Sequence, residues 1–149
     1  MTPNDPDFAA RVRASFGRQR VMELIGAEVT AVEPGMTEIV LPVRDDLTQQ
    51  HGFVHAGVVT AIADSACGYA ALSLMPPGVG VLTVEFKVNL LNPAAGERLV
   101  ARGHVVKPGR TIMVCTGEVA AERADGTTQT VAMMQATMMV VRDRPAIMD

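Results

Sequence analysis

HAGVVTAIADSACGYAALSLMPP, residues 55–77, is the stretch whose reading decides the fold. It is too long for an ordinary strand, is rich in alanine (Ala61, Ala63, Ala66, Ala70 and Ala71) and contains no proline before Pro76, so it predicts a helix over about 57–75. Val58, Val59, Ile62, Cys67, Tyr69, Leu72 and Leu74 go all the way round that helix and leave no polar stripe. Such a helix is enclosed by other structure rather than lying on a surface. Asp64 is the only charged residue within it. Burying a carboxylate without a partner costs several kcal/mol or forces it to take up a proton. The acid is therefore the residue to explain, and it is read here as the chemical centre. The competing reading, a membrane span, is disfavoured. It would put Asp64 near the bilayer centre at a cost of a few kcal/mol, and the chain downstream alternates like sheet.

Working outward, Asp5 before Pro6 resembles a helix cap with proline in the first turn, and predicts a short N-terminal helix within about 6–25, punctuated by Gly17 and Gly26. From Glu28 the pattern is strand. Pro34-Gly35 is a turn signal, and Met36 to Val43 is the return strand of a hairpin. After Pro76-Pro77-Gly78, the residues Leu82, Val84, Phe86, Val88 and Leu90 alternate with Thr83, Glu85, Lys87 and Asn89, predicting one buried and one wet face. Turn signals at Asn92-Pro93, Pro108-Gly109 and Asp125-Gly126 divide the rest into strands of roughly 91–107, 110–124 and 127–142, expected as an antiparallel meander. One apolar helix and about six strands have an economical α+β solution, a curved sheet wrapped round the helix in a single domain spanning 1–149.

Composition narrows the function. Thirteen basic and sixteen acidic residues give a net charge of −3, so the global field does not attract nucleic acid, and 3% aromatic content without Trp removes the stacking platforms of a single-strand binder. Cys67 and Cys115 have neither a C-x-x-C spacing nor a histidine at metal-ligand distance, and are expected as buried free thiols with no metal. The N-terminal residues lack the basic start and apolar run of a signal peptide, which makes a reducing cytoplasm the expected compartment. Met133, Met134, Met138 and Met139 fill core or form a pliable wall against a ligand.

The order Gln49-x5-His55-Ala56-Gly57-x6-Asp64, followed by Gly78 and Thr83-Val84-Glu85-Phe86, resembles the hotdog-fold acyl-CoA thioesterases of the phenylacetate-degradation (PaaI-like) type. The resemblance covers about residues 20–142. Its signature is a His-Gly-Gly loop entering the central helix, an Asp nine residues after that His, and an Asn or Gln six residues before it. Ala56 departs from it by standing where the first glycine is usual, though it keeps a backbone N–H. The resemblance implies that Asp64 activates water or attacks directly, that Gln49 orients the water, that Thr83 adds a hydroxyl, and that His55 positions the thioester. No bound cofactor is implied.

Elementary chemistry leads the same way, because thioester hydrolysis needs a base or nucleophile and donors for the developing oxyanion. The amides of Ala56 and Gly57 at the helix N-terminus supply such donors. Gly57 and Asp64 lie about 10 Å apart along one helix at 1.5 Å per residue, so one carbonyl cannot touch both. Base and donors are thus expected from different subunits of a dimer, and the resemblance implies a tetramer of two dimers. Lys87, Lys107 and Arg110 are the cations available to coenzyme A phosphates. Two rivals share the fold. A hotdog hydratase would carry His five residues after the acid, where this chain has Tyr69. A non-catalytic acyl-CoA sensor fused to a DNA-binding helix pair would need more than the N-terminal 26 residues.

Overall fold

The computed structural model describes residues 1–149. The apolar stretch forms α3, Ala56–Leu72. It ends earlier than expected because the Ser73 hydroxyl donates to the Ala70 carbonyl (2.7 Å) and accepts from the Gly35 amide (2.8 Å), and the chain then tightens through Leu74 N–H to Ala71 and Met75 N–H to Leu72. Those short-range bonds finish the helix before Pro76 can disrupt it.

Six strands surround α3: β1 (Glu28–Glu33), β2 (Met36–Pro42), β3 (Gly80–Leu90), β4 (Arg98–Lys107), β5 (Ile112–Glu122) and β6 (Thr128–Val141). Every pairing is antiparallel and the order across the sheet is β1-β2-β4-β5-β6-β3. This is the hotdog arrangement, a curved sheet holding one central helix. The expected meander holds for β4, β5 and β6 only. β3 lies at the far edge beside β6, and residues 91–97 carry the chain back across the end of the sheet, which is why β4 begins at Arg98 rather than near 91. Along that crossing the Leu91 amide donates to Val131 and the Glu97 amide to Glu122.

The helix sits against the sheet with almost no gap. A Cβ on Gly103 of β4 would lie 2.3 Å from the Ala66 carbonyl oxygen, and one on Gly117 of β5 would lie 2.9 Å from Cys67 Sγ. Only glycine lets the two backbones approach so closely. Ile62, Ala66, Cys67, Ala70, Leu72, Ile39, Leu41, Leu99, Cys115 and Met138 are each fully buried there. Of the four methionines of β6, Met134 and Met138 fill this core while Met133 and Met139 face outward.

Further details differ from expectation. The N-terminal helix is two helices, α1 (Phe8–Phe16) and α2 (Arg20–Ile25), because Gly17 is a poor helix former and Gln19 is extended. Asp5 caps the turn ahead of α1 through the Asp7 amide and pairs with Arg11 (2.8 Å), which also donates to the Met75 carbonyl at the C-terminal end of α3. In β3, an irregularity between Thr83 and Glu85 reverses the alternation. Thr83, opposite buried Met138, therefore faces α3, as does Phe86 opposite Ala136, while Leu82 joins Glu85 and Lys87 on the outer side. The apolar face expected to be buried is open in a single chain: Val84, Phe86 and Leu90 are 54%, 42% and 53% exposed along an edge strand with no outer neighbour. No helix is long and apolar enough to cross a membrane.

Candidate active site

His55 caps α3. Its amide is tied to the Leu47 carbonyl (2.9 Å), its backbone is extended, and its ring Nδ1 accepts from the Gly57 amide at 2.9 Å. A ring accepting at Nδ1 carries its proton on Nε2 when neutral. The Gly57 amide is thereby engaged. The Ala56 amide, first in the helix, finds no acceptor within the chain. Of the two donors expected from the sequence, Ala56 is the free one, and it points out of the positive end of α3. Gln49 lies in the adjoining turn, where its side-chain oxygen accepts from the His51 amide. Gln49, His55 and Ala56 border a pocket of about 500 Å³ with Phe53, Leu90 and Leu91.

Asp64 lies two turns further along α3, where its carboxylate accepts from the Thr83 hydroxyl at 2.8 Å. Partial burial pushes its carboxyl above the ordinary Asp value, and the Thr83 bond partly offsets that rise. Asp64 and Thr83 border a second pocket, of about 340 Å³, with Ser15, Gln19, Ser65, Gly68 and Tyr69. Sequence reasoning missed Gln19, which accepts from Ser65 at 3.2 Å and occupies the break between α1 and α2. No motif marked it, since an isolated glutamine near a glycine carries no pattern. Tyr69, where a hydratase would place its histidine, stacks edge-on against Phe16 at 5.5 Å, and its hydroxyl lies 3.4 Å from Ser15 Oγ.

The structure thus brings together Asp64 with Thr83, and His55 with Ala56, Gly57 and Gln49, but it keeps the two groups apart within one chain. Ala56 and Asp64 are separated by eight helical residues, about 12 Å along the axis. Of the cations, Lys87 faces outward in mid-β3, whereas Lys107 and Arg110 flank the β4–β5 turn three strands away, near Arg142. His51 is exposed in the loop and His104 is exposed on the outer side of β4. Both thiols are buried, and burial pushes Cys115 up to about 12 and Cys67 further still, so neither supplies a thiolate nucleophile.

Gly68 borders the Asp64 pocket, and a Cβ there would meet nothing within 4 Å. Gly68→Ala is expected to stabilise the fold by about 0.5–1 kcal/mol through the helix preference alone. Thermal melting checks this as a rise in Tm of about 1–4 °C.

Residues 51–127 match the profile of the Thioesterase superfamily. The crystal structure of a thioesterase family protein from Silicibacter pomeroyi superposes with a TM-score of 0.88 at 53% identity, covering 91% of this chain and 98% of that one. A protein of Halobacterium salinarum named as an esterase is 31% identical over 96% of this chain and 99% of its own. The 1,4-dihydroxy-2-naphthoyl-CoA hydrolase of Listeria monocytogenes is 27% identical over 63% of this chain and 76% of its own.

Proposed function

Because this chain belongs to the thioesterase superfamily, we propose that it hydrolyses acyl-CoA thioesters to free acid and coenzyme A, at sites shared between two copies. The observation that carries this reading is the 12 Å or so, along one helix, between a carboxylate held by Thr83 and an unused amide at the positive helix end. A reacting carbonyl needs both within about 3 Å. The second copy comes through β3. An eleven-residue apolar edge strand left unpaired invites another strand. Pairing β3 antiparallel with its counterpart lays the Ala56 end of one α3 beside the Asp64 region of the other, and covers Val84, Phe86 and Leu90. Two such dimers would make the tetramer.

In that arrangement Asp64 takes a proton from water as the water oxygen bonds to the thioester carbon, or itself attacks that carbon to give an anhydride that water then opens. The carbonyl oxygen gains negative charge opposite the partner copy's Ala56 amide and helix dipole. Collapse breaks the carbon–sulfur bond, and the leaving thiolate takes up the proton that water gave up, from Asp64 in the first route and from the water that opens the anhydride in the second. His55 fixes the loop that presents Ala56, and Gln49 orients water or carbonyl beside it. Lys87, Lys107 and Arg110 are the proposed contacts for the phosphates. The 1,4-dihydroxy-2-naphthoyl-CoA hydrolase of Listeria supports a coenzyme A thioester as the substrate. The two free thiols suit a reducing compartment such as the cytoplasm.

The test is release of free thiol from a panel of acyl-CoA esters, with carrier-protein thioesters included. Failure on the whole panel would remove the hydrolase reading. The pH profile adds a sign. A base with a raised pKa loses activity, as pH falls, at a higher pH than an ordinary carboxylate would. The Thr83 bond lowers that pKa, so Thr83→Ala moves the acidic limb of kcat to still higher pH. A limb that stays put in the variant would show that the hydroxyl does not act on the base.

A further inference from the structure

Residues 144–149 fold back across the Asp64 pocket. Ala146, Ile147, Met148 and Asp149 border it together with Asp64 and Thr83. The segment is fastened at both backbone and side chain. The Gly78 amide donates to the Asp149 carbonyl and the Asp149 amide donates to Val79, both at 3.3 Å. The Asp149 carboxylate accepts from Ser15 Oγ and from Arg18 Nη2, the latter at 2.6 Å, and is 17% exposed. The strand makes room for it. A Cβ on Gly80 would stand 2.6 Å from the Ile147 carbonyl oxygen, so the first residue of β3 must lack a side chain for the segment to lie there.

Along α3 the pocket runs from Asp64 through Ser65 and Gly68 to Tyr69, toward the C-terminal end of the helix, and the segment borders it from that end, where it is held by Gly78, Val79 and Ser15. A thioester whose carbonyl sits at Asp64 finds in this pocket a space that opens directly beside that carboxylate for its acyl group. We propose that residues 146–149 form the end wall of the acyl pocket, and that the Ser15–Arg18–Asp149 fastening sets which acyl lengths reach Asp64. The inference rests on the hydrolase reading above. It makes Arg18 and Asp149 specificity residues that touch neither the base nor the oxyanion donor.

Arg18→Ala and Asp149→Ala loosen the wall, and deletion of residues 144–149 removes it. The measurement is kcat/KM for butanoyl-, octanoyl- and dodecanoyl-CoA, by thiol release. The dodecanoyl-to-butanoyl ratio is expected to rise about tenfold or more in each variant, the scale that a few methylenes gain when a pocket admits them. Arg18→Lys is expected to return the ratio toward that of the parent. An unchanged ratio in Arg18→Ala and Asp149→Ala, both folded by thermal melting, overturns the proposal whether or not the deletion variant folds. A parent protein that releases thiol from no acyl-CoA overturns the hydrolase reading instead, which keeps the two failures apart.

Discussion

Asp64→Asn is expected to lower thioester hydrolysis by about 10³-fold while leaving substrate binding in place, the loss typical of removing a positioned base. Asn has the same shape and can still accept from Thr83, so the side chain keeps its place. Turnover measured beside equilibrium binding of a non-hydrolysable acyl-CoA thioether checks this. Turnover surviving in the variant would show that Asp64 is neither base nor nucleophile, whereas binding without turnover in the parent as well would favour the sensor class. Stability should move the other way. An acid whose folded pKa is raised stabilises the fold fully only below the ordinary carboxylate pKa, and that contribution is lost as pH rises through the folded value. Near neutral pH the ionised Asp64 is a cost, so Asp64→Asn is expected to melt higher there and to lose its advantage in acid.

Ala56→Pro is the second large effect, because it deletes one N–H and little else. Proline is well suited to the first position of a helix, where the amide has no helical partner. The residue ahead of it must be extended, and His55, with ψ at 137°, already is. The folded variant is expected to lose about 10²–10³-fold in kcat, the measured scale for one oxyanion donor. Co-expression with Asp64→Asn separates a shared site from a private one. If each centre joins Asp64 of one copy to Ala56 of the other, a mixed dimer has one centre doubly damaged and one intact. Random pairing then makes about half of the dimers mixed and recovers about a quarter of wild-type activity from two nearly inactive proteins. No recovery in dimers shown to be mixed would place base and donor in the same chain.

Much of this architecture could be read in the residues themselves. The apolar helix, the Pro34-Gly35 hairpin, the strand count and the spacing from Gln49 to Asp64 are local patterns, and local patterns survive into the fold because propensity and burial agree there. What escaped is non-local. Nothing within Gly80–Leu90 says that β3 lies beside β6 rather than β4, since that is decided by which edge residues 91–97 can cross. The irregularity after Thr83 was equally silent. Strict alternation put Thr83 on the solvent side, while one extra residue in the ladder turns it toward Asp64. Gln19 and Asp149 reach the Asp64 pocket from distant parts of the chain, and no spacing rule links positions so far apart. That the His55 Nδ1 holds the Gly57 amide is a choice of partner that only coordinates reveal.

The glycine at position 103, pressed against the Ala66 carbonyl, also constrains how this lineage can diversify. On the sheet side of the central helix there is no room for an added methyl group, so mutations at Gly103, Gly117, Ala66 or Ala70 are filtered out whatever substrate is in demand. The opposite side, at Ser65 and Gly68, has open space beside it. Descendants of this chain can therefore acquire new acyl preferences along one flank of one helix, while the other flank keeps the reacting groups in register.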